Sequence, residues 1–142
     1  MSDTTRSVAQ GWFTSLTSGD IDTALTYLSP DVEFINYTPV PGYNDDMKWI
    51  GTFHGRDAAL AGFKIFVETC EVRQEEVVHL AVDGDEAFGV IHEISVVRET
   101  GQEFEIEFIQ RLTIRDGLIV RWKSYTDPSP IIRAIRGENG AP

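Results

Sequence analysis

The sequence predicts an α+β domain: three helices, then a meander of long antiparallel strands that curls around a largely apolar pocket. Three observations carry this. Apolar residues recur at helical spacing through the first half of the chain. From Glu71 onward the period changes to two. The period-two runs are separated by Asp83-Gly84-Asp85, Thr100-Gly101 and Asp116-Gly117, the residue types that short hairpin turns need. Helices first and hairpin-linked strands last place the helices on one face of a bent sheet.

The first helix is expected over residues 3–17, with Val8, Trp12, Phe13 and Leu16 on one face. Ser18-Gly19 ends it. Asp20 is the expected N-cap of a short second helix carrying Ile21, Ala24, Leu25 and Leu28, which Pro30 closes. A strand follows over residues 32–37, with Val32, Phe34 and Asn36 on one side and Glu33, Ile35 and Tyr37 on the other. Pro39, Pro41, Gly42 and Asn44-Asp45-Asp46 make residues 38–48 an extended loop, and residues 49–54 return as a short strand. Gly55-Arg56-Asp57 opens the third helix, whose stripe reads Leu60, Phe63, Val67 and Cys70. Long strands are expected over residues 71–82, 86–98, 103–115 and 118–126. Asp127 then reads as an N-cap and Pro128 as the first residue of a final helix through Ile131, Ile132 and Ile135.

Composition narrows the function. The 142 residues fit one domain, with a core over about residues 5–135. A net charge of -11 argues against binding a phosphate backbone or an anionic membrane surface. Cys70 is the single cysteine, so no internal disulfide and no paired-cysteine metal site is expected. Residues 1–10 are polar and show no secretory signal, which makes a reducing cytoplasm the expected compartment. No Gly-rich phosphate loop, nucleophile elbow or paired metal-ligand histidines occur, and no cofactor or metal is implied.

The candidate site rests on polar residues that interrupt apolar faces. In the strand over residues 103–115, Phe104, Ile106, Phe108, Leu112 and Ile114 share a face with Gln110. Two readings compete for Gln110: a core amide bonded to neighbouring backbone, or a group that orients a ligand. If its role were only structural, Gln110→Leu would be neutral or stabilising. Asn36 is divided in the same way between a local backbone bond and a pocket role. Trp122 reads equally as core or as pocket wall, since its indole N–H needs a partner. On the strand over residues 86–98 both faces are apolar enough to be half-buried. His92 and Glu93, being adjacent, point to opposite faces and form no direct acid–base pair. Bare alternation slightly favours the face of Phe88, Val90, His92, Ile94 and Val96 as the inner one.

Four segments in this order resemble the SnoaL-like group of the nuclear transport factor 2-like superfamily. They run from Trp12-Phe13-Thr14-Ser15-Leu16-Thr17-Ser18-Gly19-Asp20, through Leu28-Ser29-Pro30-Asp31-Val32-Glu33-Phe34 and Gly55-Arg56-Asp57, to Asp116-Gly117-Leu118-Ile119-Val120-Arg121-Trp122. That superfamily also holds ketosteroid isomerases, limonene epoxide hydrolases and polyketide cyclases. The resemblance implies a cystatin-like cone, with three N-terminal helices packed on a strongly curved, mostly antiparallel sheet, an enclosed pocket and a homodimer. It does not imply one chemistry. The steroid isomerase's tyrosine, general-base aspartate and protonated aspartic acid fall at Trp12, Asn36 and Gln110, so no proton shuttle of that kind survives. The epoxide hydrolase segment is similar at Phe34, Asn36, Pro39 and Pro41. Its tyrosine, however, falls at Phe34, its arginine and first aspartate at Glu93 and Ser95, and its second aspartate at Ser124. Neither activity is expected.

The resemblance also sets the strand register, sending Ile91, Glu93, Ser95, Gln110, Trp122 and Ser124 inward and His92 outward. Glu93, Asn36 and Gln110 are then the candidate catalytic residues: Glu93 a general base with its pKa raised by apolar surroundings, and the two amides holding water or a carbonyl. Trp12, Phe34, Ile91, Ser95, Phe108, Trp122 and Ser124 are the expected pocket lining. Two functions fit. One is a SnoaL-like domain taking a small apolar or polycyclic ligand, as a cofactor-independent isomerase, cyclase or hydrolase. The other is a non-catalytic binding or dimerisation module with a vestigial pocket.

Overall fold

The computed structural model describes residues 2–138; of the single domain expected over residues 1–142, Met1 and residues 139–142 lie outside the described residues. In order come α1 (Ser2–Thr17), α2 (Ile21–Leu25), β1 (Leu28–Asn36), β2 (Gly51–His54) and α3 (Arg56–Thr69). The chain continues through β3 (Cys70–Asp83), β4 (Glu86–Val97), β5 (Glu103–Arg115), β6 (Leu118–Tyr125) and α4 (Ser129–Ile135). The strands form one sheet in the order β2-β1-β6-β5-β4-β3. All neighbours are antiparallel except β1 and β6. The fold is α+β, with the helices packed against this sheet.

The hairpin turns fall where the glycines predicted them. Gly84, Gly101 and Gly117 all take positive φ, which a residue without Cβ adopts at least cost. Inward and outward faces of β4 and β5 alternate without interruption. Ala87, Gly89, Ile91, Glu93, Ser95 and Val97 are buried on β4, and Phe104 through Ile114 at even numbers are buried on β5. Bare alternation had slightly favoured the opposite face of β4. The helices cover the Glu93 face, so the charged side chain goes inside and His92 outside.

Three local expectations are corrected. Leu28 does not belong to α2, which ends at Leu25. Leu28 opens β1 and pairs with Ile119 of β6, so long-range strand pairing overrides the helical spacing. Pro30 therefore lies inside β1, at the irregular stretch between Leu28 and Glu33 where the ladder is interrupted. On α3 the buried residues are Ala59 and Gly62, flanked by half-buried Phe63 and Phe66, whereas Val67 is 50% exposed and Cys70 already belongs to β3. The face turns this way because Gly62 leaves room for the Phe53 ring of β2. Finally, α4 starts one residue later than expected. Asp127 accepts from the backbone N–H of Ser129 at 3.0 Å and from its hydroxyl at 2.7 Å, with Pro128 in the cap position.

Two features of the sheet position the site. Gly89 on β4 pairs with Gln110 on β5, and any side chain at Gly89 would overlap the ring of Phe13 on α1. The glycine thus lets α1 approach the sheet at the level of Gln110 and brings Trp12 within reach of it. On β3, the register against β4 slips between Val72 and Gln74, so Arg73 is an extra, bulged residue. A bulge reverses which side chains point inward from that point on. Before it, Cys70 and Val72 share the inner face; after it, Glu75 and Val77 do.

Candidate active site

A cavity of about 500 Å³ lies between the helices and the inner face of the sheet. Its apolar wall includes Phe34, Phe53, Phe63, Phe66, Ile106 and Phe108. Phe34 stacks flat on Trp122, with centroids 3.9 Å apart, and meets Phe63 edge-on at 5.2 Å. Such interlocked rings hold the wall in one shape.

Polar groups interrupt this wall at two levels. The first is a row across three strands. Asn36 on β1 pairs with Ser124 on β6, which pairs with Gln110 on β5. Gln110 is 3% exposed, and its carbonyl oxygen accepts from the indole N–H of Trp12 and from that of Trp122, each at 2.9 Å. An indole nitrogen only donates, so two of them fix which way the amide points. The Gln110 nitrogen has no hydrogen-bond partner among the described residues and retains access to the cavity that Gln110 lines. Neither reading of Gln110 from sequence described this arrangement, because its partners are side chains from α1 and β6 rather than neighbouring backbone.

The second level holds a pair of carboxyl groups. Glu93 on β4, 4% exposed, stands directly opposite Glu75 on β3. Ser95 donates its hydroxyl to Glu93 Oε2 at 2.8 Å. Burial pushes the Glu75 carboxyl up to about 9, and its hydrogen bond to Glu93 and the Glu93 charge add to that. Burial also raises Glu93, while hydrogen bonds from Glu75 and Ser95 pull it back. Two carboxyl groups this close cannot both ionise cheaply, so they share a proton. Both carboxyls are raised, and the pair keeps a proton between Glu75 and Glu93 at pH values where a free glutamate is ionised, with the Ser95 hydroxyl donating to Glu93.

Tyr37 stands beside both levels. It lies just past the end of β1 with φ of 56°, a backbone conformation uncommon for a bulky residue and concentrated at functional sites. Burial raises its phenol most; a hydrogen bond with Ser124 opposes this, and the Glu93 charge adds to it. Tyr37 is therefore a protonated donor on the cavity wall. Cys70, also lining the cavity, is pushed up to about 12 by burial and by Glu93, opposed by Arg98, and stays a thiol.

Of the candidate catalytic residues, Asn36, Gln110 and Glu93 all line the cavity, but only the first two share a row. Among the expected lining residues, Phe34, Phe108, Trp122 and Ser124 are on the surface of the cavity, whereas Trp12, Ile91 and Ser95 are behind it. Trp12 is covered because its indole is directed at Gln110, and Ser95 because its hydroxyl is directed at Glu93. Ile91 is fully buried in the core. His92 faces outward and binds Glu105 at 2.6 Å. Sequence reasoning missed Glu75 and Tyr37. Among the described residues, no group of three or more His, Cys, Asp and Glu side chains is arranged to hold a metal ion, and no helix is long and apolar enough to cross a membrane.

Comparison with known proteins agrees with this architecture. An uncharacterized PhzA/B-like protein of Pseudomonas aeruginosa is 29% identical over 94 residues, which cover 66% of this chain and 67% of that protein. Among solved structures, a nuclear transport factor 2-like protein of Burkholderia thailandensis has a TM-score of 0.81 at 18% identity, covering 92% of this chain and 96% of its own. A candidate SnoaL-like polyketide cyclase of Mesorhizobium loti has a TM-score of 0.71 at 20% identity, covering 84% and 97%. At these identities the likeness is one of fold. A model of the SnoaL-like domain matches residues 9–122, most of the chain. The chain belongs to the SnoaL-like domain family.

Proposed function

We propose that this protein is a cofactor-independent enzyme of the isomerase or cyclase type that moves a proton on a small, mostly apolar carbonyl compound bound in the cavity between the helices and the sheet. The observation that carries this reading is the Glu75–Glu93 pair, two carboxyl groups directly opposite each other on the cavity wall, both raised by burial. Glu93 takes the proton from the carbon adjacent to the carbonyl, the electron pair of that C–H bond becomes a carbon–carbon double bond, the carbonyl π pair moves onto oxygen, and Glu93 then returns the proton to a carbon of the resulting enolate. Tyr37, a phenol held protonated, donates a hydrogen bond to that oxygen. Glu75 keeps the base poised, because its own proton stabilises the Glu93 carboxylate without neutralising it.

The test is hydrogen exchange on simple enolisable ketones, with 2-tetralone as the first probe. In deuterium oxide the protein should catalyse deuterium uptake at the carbon next to the carbonyl, followed by proton NMR. Glu93→Gln should lower the rate by at least about 100-fold, the range of a lost general base. Equal rates for the variant and the wild type would overturn the assignment of the base. No uptake with any cyclic ketone would favour a binding module.

The same reading includes a homodimer through the outer face of the sheet. There Ile109 and Tyr125, 39% and 41% exposed, pair across β5 and β6 beside Val90. Glu103, Glu105 and Glu107 lie toward one end of this stripe, and Arg111 and Lys123 toward the other. Two copies related by a two-fold axis would set acidic end on basic end. Sedimentation equilibrium at micromolar concentration should give twice the chain mass, falling toward the monomer with Ile109→Glu. A monomer at every concentration would contradict the proposal.

A further inference from the structure

On one side the cavity opens to solvent. Val67 near the end of α3, Glu71, Val72 and Arg73 at the start of β3, and Arg98 just past β4 all line the cavity and are all exposed, so they form part of its mouth. Charge at this rim runs against that of the chain. Two guanidinium groups face one carboxylate, in a protein whose net charge is -11.

The two arginines reach the mouth by separate routes. Arg73 is the extra residue in the β3 ladder, and bulges beside binding sites re-aim a side chain in this way. Its Nε donates to Glu71 Oε1 at 2.6 Å. Arg98 is anchored from behind, its Nε donating to the Val67 carbonyl and its backbone N–H to that of Thr69, each at 2.9 Å. Its Nη1 stands 3.9 Å from Glu71 Oε2, too far for a hydrogen bond. Glu71 therefore satisfies Arg73 and only approaches Arg98. A carboxylate that is not tethered to β3 can meet both forks, the geometry in which guanidinium groups hold carboxylates most firmly.

We infer that the ligand is an acid whose carboxylate replaces that of Glu71 between Arg73 and Arg98, with its apolar, ketone-bearing body inside the cavity. For what happens at Glu93 this rests on the proposed function. The orientation follows from the charges. The Glu75–Glu93 pair repels an anion, so the carboxylate stops at the rim and only the uncharged body reaches Glu93. Arg73 precedes Glu75 by two residues, about 7 Å of strand, so a few bonds separate the carboxylate from the reacting carbon.

The probes are 5-oxo-5-phenylpentanoate and 5-methyl-1-phenylhexan-1-one, in which an isopropyl group of the same shape stands for the carboxylate. Calorimetric titration at low salt should show the acid binding at least about threefold tighter, although its analogue is the more apolar. The advantage should shrink as sodium chloride rises from about 20 mM to about 500 mM. It should vanish in Arg73→Met and in Arg98→Met. Glu71→Gln should enlarge it by at least about threefold, because the competing carboxylate has gone. A bridge that only braced the rim would give no such gain. Comparing two probes on one variant cancels any loss of folded protein. Failure of the wild type to bind the acid would overturn the inference, as would an advantage that Glu71→Gln leaves unchanged or lowers. An acid that shows this pattern while no ketone exchanges deuterium would sink the reaction and leave the ligand class standing. Exchange on 2-tetralone without the pattern would sink the ligand class alone.

Discussion

Gln110→Leu is expected to lower the free energy of unfolding by about 2–4 kcal/mol, because it leaves two buried indole N–H groups without an acceptor at once. Sequence alone suggested the opposite, that leucine would be neutral or stabilising if Gln110 served only the fold. The shared acceptor reverses that expectation: a buried amide can be exchanged for an apolar side chain only where its partners do not depend on it. Urea denaturation of the variant, alone and combined with Trp12→Phe, checks this. The cost of Gln110→Leu should shrink by about 1 kcal/mol when Trp12 is already phenylalanine, since one orphaned donor has gone. An undiminished cost in the double variant would show that the indole bond contributes nothing.

Stability should also fall as pH rises through neutrality. The Glu75 carboxyl has an ordinary value near 4.5 and is raised to about 9 in the folded protein. Below about 4.5 both states hold the proton and the contribution is fully present. Between 4.5 and 9 the unfolded chain gives up its proton while the folded protein keeps it, so each step in pH favours unfolding. With these two values a loss of about 3–4 kcal/mol between pH 6 and pH 9 is expected. Tyr37 stays protonated through this window, and Cys70, whose ordinary value of 9.0 is reached only at its upper edge, adds a small loss in the same direction there. His92, raised chiefly by Glu105, acts in the same direction from the outer face. Glu75→Gln isolates the pair: its stability curve should be flatter, and above pH 8 the variant should be the more stable protein. Parallel curves would mean that Glu75 ionises normally.

The fold was legible because its signals were local. Gly84, Gly101 and Gly117 mark the hairpins, and uninterrupted alternation from Glu103 to Arg115 fixes β5 to the residue. The register of β4 was not legible by itself, since both its faces are half apolar; resemblance, not periodicity, directed Glu93 inward. The candidate site was readable where a polar residue broke a clean apolar face, as Gln110 does. Glu75 gave no such signal. Its inward position follows from the bulge at Arg73, and nothing in the run Glu71-Val72-Arg73-Gln74-Glu75-Glu76 announces an extra residue in the ladder. Tyr37 was hidden for a related reason. Counting by twos put it on the outer side of β1, but the strand stops at Asn36 and a positive φ turns the chain there. Leu28 fits helical spacing and strand pairing equally well, and only its partner Ile119, far along the chain, decides between them.

The most direct measurement is a carbon-13 NMR titration of the glutamate carboxyl groups, with Glu75→Gln and Glu93→Gln used for assignment. If the two residues hold one proton between them on the cavity wall, one carboxyl resonance should remain protonated through pH 7 and titrate well above the ordinary glutamate range. In the Glu75→Gln protein, Glu93 should then titrate alone, without the second, coupled step. Two resonances ionising independently near 4.5 in the wild-type protein would contradict the shared proton and, with it, the base proposed for the reaction.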